Sequence, residues 1–169
     1  SSAASDVYKR QVVIYGSSTG TCQAIAEKIA SKLGVEAMDV ANLNEDVLKS
    51  HDNLILGTST WGSGEMQDDW YSGVEVLKDV DLSNKTVALF GCGDAESYSD
   101  TFCGGMAELY HAVEGAHVVG AVSTDGYTFD DSDAVIDGKF VGLALDDLNE
   151  EDKTDERIDT WLAEIKPSL

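Results

Sequence analysis

The chain has 169 residues, 43% of them hydrophobic, and it carries 32 Asp and Glu against 11 Lys and Arg, a formal net charge of −21. This length and apolar content indicate one globular domain rather than a disordered protein, and the negative charge excludes nucleic acid as a partner. No apolar stretch approaches the ~20 residues of a membrane span, so we expect no membrane partner.

The first ten residues, SSAASDVYKR, have neither the period of a strand or helix nor the apolar core of a signal peptide. We therefore predict a disordered leader or an expression remnant at residues 1–10 and a single domain at residues 11–169. The cysteines Cys22, Cys92 and Cys103 are odd in number and lack metal-type spacing. This usage favours a reducing cytoplasm, with no disulfide framework and no metal site.

Strand and helix patterns alternate through the first half of the domain. QVVIY is a short buried-strand run, and TCQAIAEKIASKL repeats Ile25, Ile29 and Leu33 at helical spacing before Gly34 ends the pattern. The predicted elements are a strand at 11–15, a helix at 21–33, a strand at 35–40, a short helix or turn at 44–50, a strand at 53–57 and a helix at 67–78.

The second half continues the alternation, with a polar, acidic insertion between its last two strand segments. Alternating strands and helices predict a doubly wound α/β fold, that is, a mostly parallel sheet with helices on both faces. Ligands of such sheets bind beyond the carboxyl ends of the strands, near the point where the strand order reverses. The predicted elements are a strand at 85–92, a helix at 99–115, a strand at 116–123, a strand segment at 139–145 and a helix at 151–165.

The loop after the first strand, SSTGTC at 17–22, contains four hydroxyl groups and no positive charge. The lysine of a Walker loop and the glycine pattern GxGxxG are both missing. A hydroxyl-rich turn whose backbone N–H groups open a helix binds a phosphate monoester through those donors and the helix dipole. An ordinary capping cluster at a helix N-terminus is the alternative interpretation.

The loops after the third and fourth strands each carry one central aromatic residue between glycines. Trp61 lies in TSTWGSGEMQDDW (58–70), and Tyr98 lies in GCGDAESYSDTFCGG (91–105). A tryptophan in a polar, glycine-rich loop favours a flat face for a planar ligand, although packing against the sheet edge is the alternative. Two aromatic residues beside a phosphate turn predict a sandwich for a planar ring with a phosphorylated tail.

Five stretches, taken in order, resemble flavodoxins of the long-chain type. They are YGSSTGT, TSTWGSGEMQDDW, FGCGDAESYSDTFC, STDGYTF and KFVGLALD, and the resemblance runs from residue 11 to residue 166. It implies the strand order known for flavodoxin itself, 2-1-3-4-5 in a five-stranded parallel sheet, with FMN at the switch point. It also implies that residues 124–138 are an insertion that splits the fifth strand.

The same resemblance implies a role for each loop. The turn at 17–21 cradles the FMN phosphate, with Cys22 in place of the usual threonine, while Trp61 and Tyr98 stack on opposite faces of the isoalloxazine. The 62–63 peptide lies where flavodoxins reorient the backbone toward the flavin N5. The implied FMN-binding residues are Ser17, Ser18, Thr19, Gly20, Thr21, Cys22, Thr58, Ser59, Thr60, Trp61, Gly62, Ser63, Gly64, Cys92, Gly93, Asp94, Tyr98, Thr101, Phe102 and Cys103.

By this resemblance the chain is a low-potential one-electron carrier that binds FMN non-covalently and, having no catalytic residues, is not an enzyme. The implied partners are a basic flavoprotein reductase, such as a ferredoxin/flavodoxin-NADP reductase, and redox acceptor enzymes. No cation occurs between Lys85 and Lys139, and the acids of this stretch would steer basic partners and favour a monomer. The alternatives are an FMN-dependent NAD(P)H quinone reductase of the same fold and an interaction module without flavin.

Overall fold

The computed structural model describes residues 10–169, so the leader predicted at residues 1–10 lies, apart from Arg10, outside the described residues. The strands are Gln11–Gly16 (β1), Glu36–Asp39 (β2), Asn53–Trp61 (β3), Glu65–Met66 (β4), Thr86–Cys92 (β5), His117–Val119 (β6), Val122–Ser123 (β7), Val135–Ile136 (β8), Lys139–Phe140 (β9) and Leu143–Leu145 (β10). The α-helices are Thr21–Leu33 (α1), Glu45–Lys49 (α2), Asp69–Lys78 (α3), Gly105–Ala112 (α4) and Glu151–Ile165 (α5). Short 3-10 turns cover Val40–Asn42 and Lys166–Ser168.

The main sheet is parallel apart from the two-residue β4, and it confirms the predicted strand order. β1 lies between β2 and β3, and β3 pairs with β5 from Asn53 opposite Thr86 to Ser59 opposite Cys92. The outer edge of β5 is covered by two segments, β6 along its first half and β10 along its second half. These two segments occupy one position and form an interrupted fifth strand, so the order is 2-1-3-4-5.

The strands predicted at 116–123 and 139–145 are wrong in extent, because each divides between two sheets. After β6 the chain leaves the main sheet, and β7 joins β9 and β8 in a separate antiparallel sheet of three strands. Gly120, with a φ of +89°, makes this turn in a conformation that residues with a Cβ rarely adopt. The insertion implied at 124–138 therefore extends over residues 120–142.

Two helices are shorter than predicted, and one strand is longer. α3 begins two residues later than predicted, and α4 begins six residues later and ends three residues earlier than the predicted segment 99–115. The backbone before α4 forms turns instead, in which the N–H of Gly104 donates to the Thr101 carbonyl at 3.1 Å. β3 runs past its predicted end at residue 57 because β4 pairs antiparallel with its last residues. The bounds of α1 and α5 are those predicted.

Apolar side chains pack on both faces of the main sheet. On one face, Trp70 of α3 and Met106 of α4 belong to the same buried cluster as Leu89 of β5. On the other face, Trp161 of α5 and apolar residues of α1 belong to a cluster with Phe90, the next residue of β5. Since neighbouring strand residues point to opposite faces, the helices cover both sides of the sheet, as predicted. None of the helices in residues 10–169 is long and apolar enough to cross a membrane.

Gly142 lies where the insertion returns to the main sheet, and a Cβ built there would be 2.1 Å from the carbonyl oxygen of Leu89. We predict that Gly142→Ala destabilises the fold by about 1–3 kcal/mol, because a backbone atom of β5 must move. Gly115→Ala is the matched control, since no heavy atom lies within 4 Å of its Cβ position. Urea unfolding measures both changes, and equal effects at the two positions would contradict the prediction.

Candidate functional site

A cavity of about 500 Å³ opens at the carboxyl ends of β3 and β5, next to the first residues of α1 and α5. Within the described part of the chain, neither Lys nor Arg lines it. All of its lining residues except Asp147, Leu148 and Glu151 were predicted from the sequence as binding residues. The predicted residues that line it are Thr19, Thr21, Ser59, Thr60, Trp61, Gly62, Cys92, Gly93, Asp94, Tyr98, Thr101, Phe102 and Cys103.

The remaining predicted residues surround this cavity without lining it. Thr58 is buried in β3, where its hydroxyl donates to the Ser59 carbonyl at 2.8 Å and accepts from the Gln67 N–H at 3.0 Å. Both interactions are within the protein, so the Thr58 side chain orders the loop. The others are Ser17, Ser18, Gly20 and Cys22 in the first loop, and Ser63 and Gly64 in the turn between β3 and β4.

The first loop presents hydrogen-bond donors at the start of α1. Gly20 has a φ of +94°, and its N–H donates to the Ser17 hydroxyl oxygen at 3.1 Å, which closes the turn. The first turn of α1 contains no acid. Such N–H groups and the helix dipole bind an anion without a cation. Within residues 10–169, the loop N–H groups that donate to no protein group are those of Ser17, Ser18, Thr19, Thr21 and Cys22.

The three cysteines near the cavity are buried and free. A hydrogen bond with the Cys92 thiol, together with burial, raises the pKa of Cys22 well above its usual value. Burial likewise raises the pKa of Cys103 well above its usual value. Thiols with a raised pKa stay protonated near neutral pH and react slowly. Cys22 is fully buried, so its thiol is not accessible to an anion in the cavity.

Trp61 and Tyr98 are exposed at the cavity, with 42% and 55% of their surface accessible. The indole N–H of Trp61 donates to the Ser59 hydroxyl at 2.8 Å, which fixes the ring. Gly62 follows with a φ of +52°, and the N–H of Gly64 donates to the Trp61 carbonyl at 3.1 Å. The chain thus reverses directly after the tryptophan, where glycine has a conformation closed to most residues. The turn therefore holds an exposed Trp61 at the cavity wall.

Asp94 orders the third loop of the site, residues 91–105, which extends from the end of β5. Its carboxylate accepts hydrogen bonds from the N–H of Glu96 at 3.1 Å, the N–H of Ser97 at 3.0 Å and the side-chain amide of Asn149 at 2.7 Å. These bonds, that of the Ser97 N–H above all, hold the pKa of Asp94 below its usual value. The N–H of Tyr98 donates to the Asp94 carbonyl at 2.9 Å, so the same turn positions the aromatic ring.

The insertion supports the end of the third loop. The ring of Phe102 lies 6.2 Å from that of Tyr127, 5.7 Å from that of Phe129 and 5.9 Å from that of Phe140, measured between centroids. Burial raises the pKa of Tyr127 to about 12, and its hydroxyl donates to the Ala144 carbonyl at 2.8 Å. The insertion is thereby fixed to β10 and holds Phe102 at the cavity wall.

Comparison with known proteins agrees with this arrangement. Residues 13–161 match the family model described as Flavodoxin. The chain belongs to the flavodoxin family. The resemblance inferred from the sequence is thus confirmed. Flavodoxins are electron-transfer proteins rather than enzymes and pass electrons to redox partners.

Individual flavodoxins are similar over nearly the whole chain. Flavodoxin 1 of Azotobacter vinelandii is 45% identical over 163 residues, which cover 91% of this chain and 94% of that protein. The flavodoxin of Helicobacter pylori is 41% identical over 158 residues, which cover 93% of this chain and 96% of that protein. The crystal structure of Fusobacterium nucleatum flavodoxin bound to flavin mononucleotide has a TM-score of 0.89 at 34% identity, over 96% of this chain and 99% of that one. The flavodoxin-like fold predicted from the sequence is confirmed.

Of the three lining residues that the sequence analysis missed, Asp147 and Leu148 lie on the loop from β10 to α5, and Glu151 is the first residue of α5. Asp146 at the start of this loop is buried, and its carboxylate accepts from the Ala95 N–H at 3.0 Å and from the Asn149 side chain at 2.9 Å. Asn149 therefore joins this loop to the third loop. Leu148 on the same loop is 75% exposed. The available signal was position, because this loop also leaves the carboxyl end of a strand.

The lowered pKa of Asp94 makes the stability of the third loop depend on pH. The ionised Asp94 carboxylate stabilises the folded chain fully above about pH 4, which is the ordinary pKa of aspartate. This stabilisation is lost as the pH falls through the pKa that Asp94 has in the folded chain, which is lower. We predict that Asp94→Asn lowers the urea midpoint above about pH 5 and that the difference from the parent protein shrinks below about pH 4. Asp79→Asn, at an exposed carboxylate after α3, is the control, and a difference independent of pH would contradict the prediction.

Proposed function

We propose that the chain binds FMN non-covalently and carries single electrons at low potential between a basic flavoprotein reductase and acceptor enzymes, as a monomer in the cytoplasm. This proposal rests on one observation. Two exposed aromatic rings and a loop of uncharged hydrogen-bond donors line the same cavity. Family membership supports it, since flavodoxins are FMN-binding electron carriers. The free buried cysteines suit a reducing compartment, and a net charge of −21 opposes self-association.

The first loop would hold the phosphate through the backbone N–H groups and hydroxyls of residues 17–22. Hydrogen bonds to a charged group contribute roughly 1.5–3 kcal/mol each, and the helix dipole adds up to about 2 kcal/mol. Several such donors supply much of the ~12 kcal/mol that nanomolar binding requires, even though their contributions are not additive. A cation at the phosphate is therefore unnecessary.

Trp61 and Tyr98 would hold the isoalloxazine between them. Aromatic stacking contributes about 0.5–1.5 kcal/mol beyond the burial of apolar surface. Phe102 and Cys103 are buried and line the same cavity, so they would keep water from the part of the ligand that they contact. Gly93 is needed for this close packing, because a Cβ there would lie 2.9 Å from the backbone nitrogen of Cys103.

Carboxylates around the cavity support a low potential. When bound, FMN supplies the one-electron redox chemistry, and the chain sets the electrostatic surroundings. Asp94, Asp147 and Glu151 line the cavity, and Glu65 follows the Trp61 turn. One carboxylate about 12 Å away in half-aqueous surroundings opposes an added electron by roughly 0.2–0.7 kcal/mol, or about 10–30 mV. Several such acids act in the same direction, so each makes the bound group a stronger reductant.

Titration of the flavin-free protein with FMN tests the proposal, with quenching of flavin fluorescence as the signal. We predict that Trp61→Ala and Tyr98→Ala each weaken FMN binding about ten-fold or more, because each removes one stacking face. Tyr71→Ala is the matched control, since Tyr71 is likewise exposed, at 46%, but does not line the cavity. A protein that binds no FMN, or equal losses in all three variants, would refute the proposal.

Experiments on the FMN-loaded protein also distinguish an electron carrier from a quinone reductase, the alternative function inferred from the sequence. A carrier takes up two electrons in separate one-electron steps, which a reductive titration resolves by absorbance. It does not oxidise NAD(P)H by itself. Rapid oxidation of NAD(P)H by the isolated protein would rule out a pure carrier.

The rim of the cavity combines apolar and acidic residues. Leu148 and Trp61 are exposed there, beside the carboxylates of Asp147 and Glu151. An apolar centre within an acidic rim is complementary to a basic face that has an apolar centre of its own. This supports a basic reductase as the electron donor.

We predict that electron transfer from a basic flavoprotein reductase slows as ionic strength rises above physiological, where the Debye length is about 8 Å, because attraction between opposite charges speeds the encounter. Leu148→Ser should slow transfer at every salt concentration and leave the salt dependence unchanged, since it removes apolar contact and no charge. Stopped-flow kinetics measure both effects, and rates that do not respond to salt would exclude electrostatic steering.

A further inference from the structure

We infer that Gln67 is a positioning residue that fixes the Ser18 hydroxyl as a hydrogen-bond donor to the phosphate of the bound cofactor. The inference rests on the proposed function, since it concerns the same phosphate. Gln67 follows β4 in the second loop of the site (residues 58–70), and Ser18 is in the first loop (residues 17–22), 49 residues away along the chain. The contact between them joins the loop that would hold the phosphate to the loop that carries Trp61.

The orientation of the Gln67 amide is determined by its neighbour Asp69. The side-chain oxygen of Gln67 accepts from the Asp69 N–H at 2.9 Å, and its nitrogen donates to the Asp69 carboxylate at 3.1 Å. If the amide were turned by half a rotation, its nitrogen would face an N–H group and its oxygen would face a carboxylate. Both contacts would then be repulsive, so only one orientation is stable.

This orientation determines what the Ser18 hydroxyl can do. The second hydrogen of the Gln67 side-chain nitrogen points to the Ser18 oxygen at 3.2 Å, so this oxygen is an acceptor. Within residues 10–169, the Ser18 hydroxyl donates to no protein group, and its one proton is available outside the protein. The Ser17 oxygen is likewise an acceptor, of the Gly20 N–H. Two adjacent hydroxyls with free protons suit a dianionic phosphate, which only accepts hydrogen bonds.

The surroundings of Gln67 keep the amide in place. Only 4% of its surface is exposed, and its backbone N–H donates to the buried Thr58 hydroxyl at 3.0 Å. The last residue of β1, Gly16, packs directly on it, because a Cβ at Gly16 would lie 2.6 Å from the Gln67 side-chain oxygen and 2.5 Å from Trp70. A buried amide with both its hydrogens and its oxygen bonded has little freedom to turn.

The test replaces the donor by an acceptor of the same shape. In Gln67→Glu an oxygen replaces the donating nitrogen, and the one proton that this buried carboxyl can hold lies between it and the Asp69 carboxylate. The side chain therefore only accepts at Ser18, so the Ser18 proton turns toward it and away from the phosphate. The measured quantity is the ratio of the Kd for riboflavin, which lacks the phosphate, to the Kd for FMN. We expect this ratio to fall about ten-fold, while riboflavin binding changes less than about two-fold.

Two controls separate orientation from added charge and from general damage. Gln23→Glu adds the same charge on the exposed face of α1, where Gln23 bonds only Glu27 within the described residues, and it should change the ratio far less. In a Ser18→Ala background, the effect of Gln67→Glu beyond that of Gln23→Glu should vanish, since no hydroxyl is left to turn. Equal loss of riboflavin and FMN affinity, or an effect that persists without Ser18, would overturn the inference.

Two further variants cover the case in which Gln67→Glu does not fold. Gln67→Met has no charge and a similar length, and Ser18→Ala removes the hydroxyl itself. Each should lower the ratio several-fold, and an unchanged ratio in both would also overturn the inference. If the parent protein binds riboflavin and FMN equally or not at all, the proposed function fails instead, so the two failures are distinguishable.

Discussion

The unpaired N–H groups at the start of α1 are the interaction on which the site depends. They lie at the carboxyl edge of the sheet because β1 delivers its loop there, and the helix dipole gives this end a partial positive charge. Among the described residues, no Lys or Arg lines the cavity and offers an anion stronger attraction. Under the proposed function, the position of Thr21 as the first residue of α1 would decide where the anionic tail of the cofactor binds, and the aromatic pair would have to lie within reach of it.

Three loops from different strands form one rigid site because hydrogen bonds join them directly. The Gly105 N–H donates to the Thr60 hydroxyl at 3.1 Å, Asn149 bridges Asp94 to the loop before α5, and Gln67 reaches the first loop. The insertion adds apolar packing behind the third loop. A site that is ordered before the ligand arrives loses less conformational entropy on binding, so more of each contact appears as affinity.

How far the sequence predicts this structure depends on the range of the interactions involved. α1 and α5 are found to the residue because helical periodicity and end signals such as Gly34 are local. The divided strands are not found, because a run such as 116–123 does not reveal which sheet each half joins. The contribution of Leu148 to the cavity was missed for the same reason, since it follows a strand whose pairing is set by β5, far away in the chain. The bond between Gln67 and Ser18 leaves no sequence signal at all.

Under the proposed function, the absence of a cation at the first loop and the excess of acids around the cavity follow from one constraint. A lysine would attract the phosphate, but its field extends over the Debye length of about 8 Å and would offset the carboxylates that oppose added electrons. Hydrogen bonds to the phosphate act only at contact distance and leave that field in place. Uncharged donors would thus strengthen cofactor binding without changing the electrostatic potential at the cofactor's rings. In a chain with 32 acids and 11 cations, the same field also extends outward, so under the proposed function one charge distribution would both lower the potential and attract a basic partner.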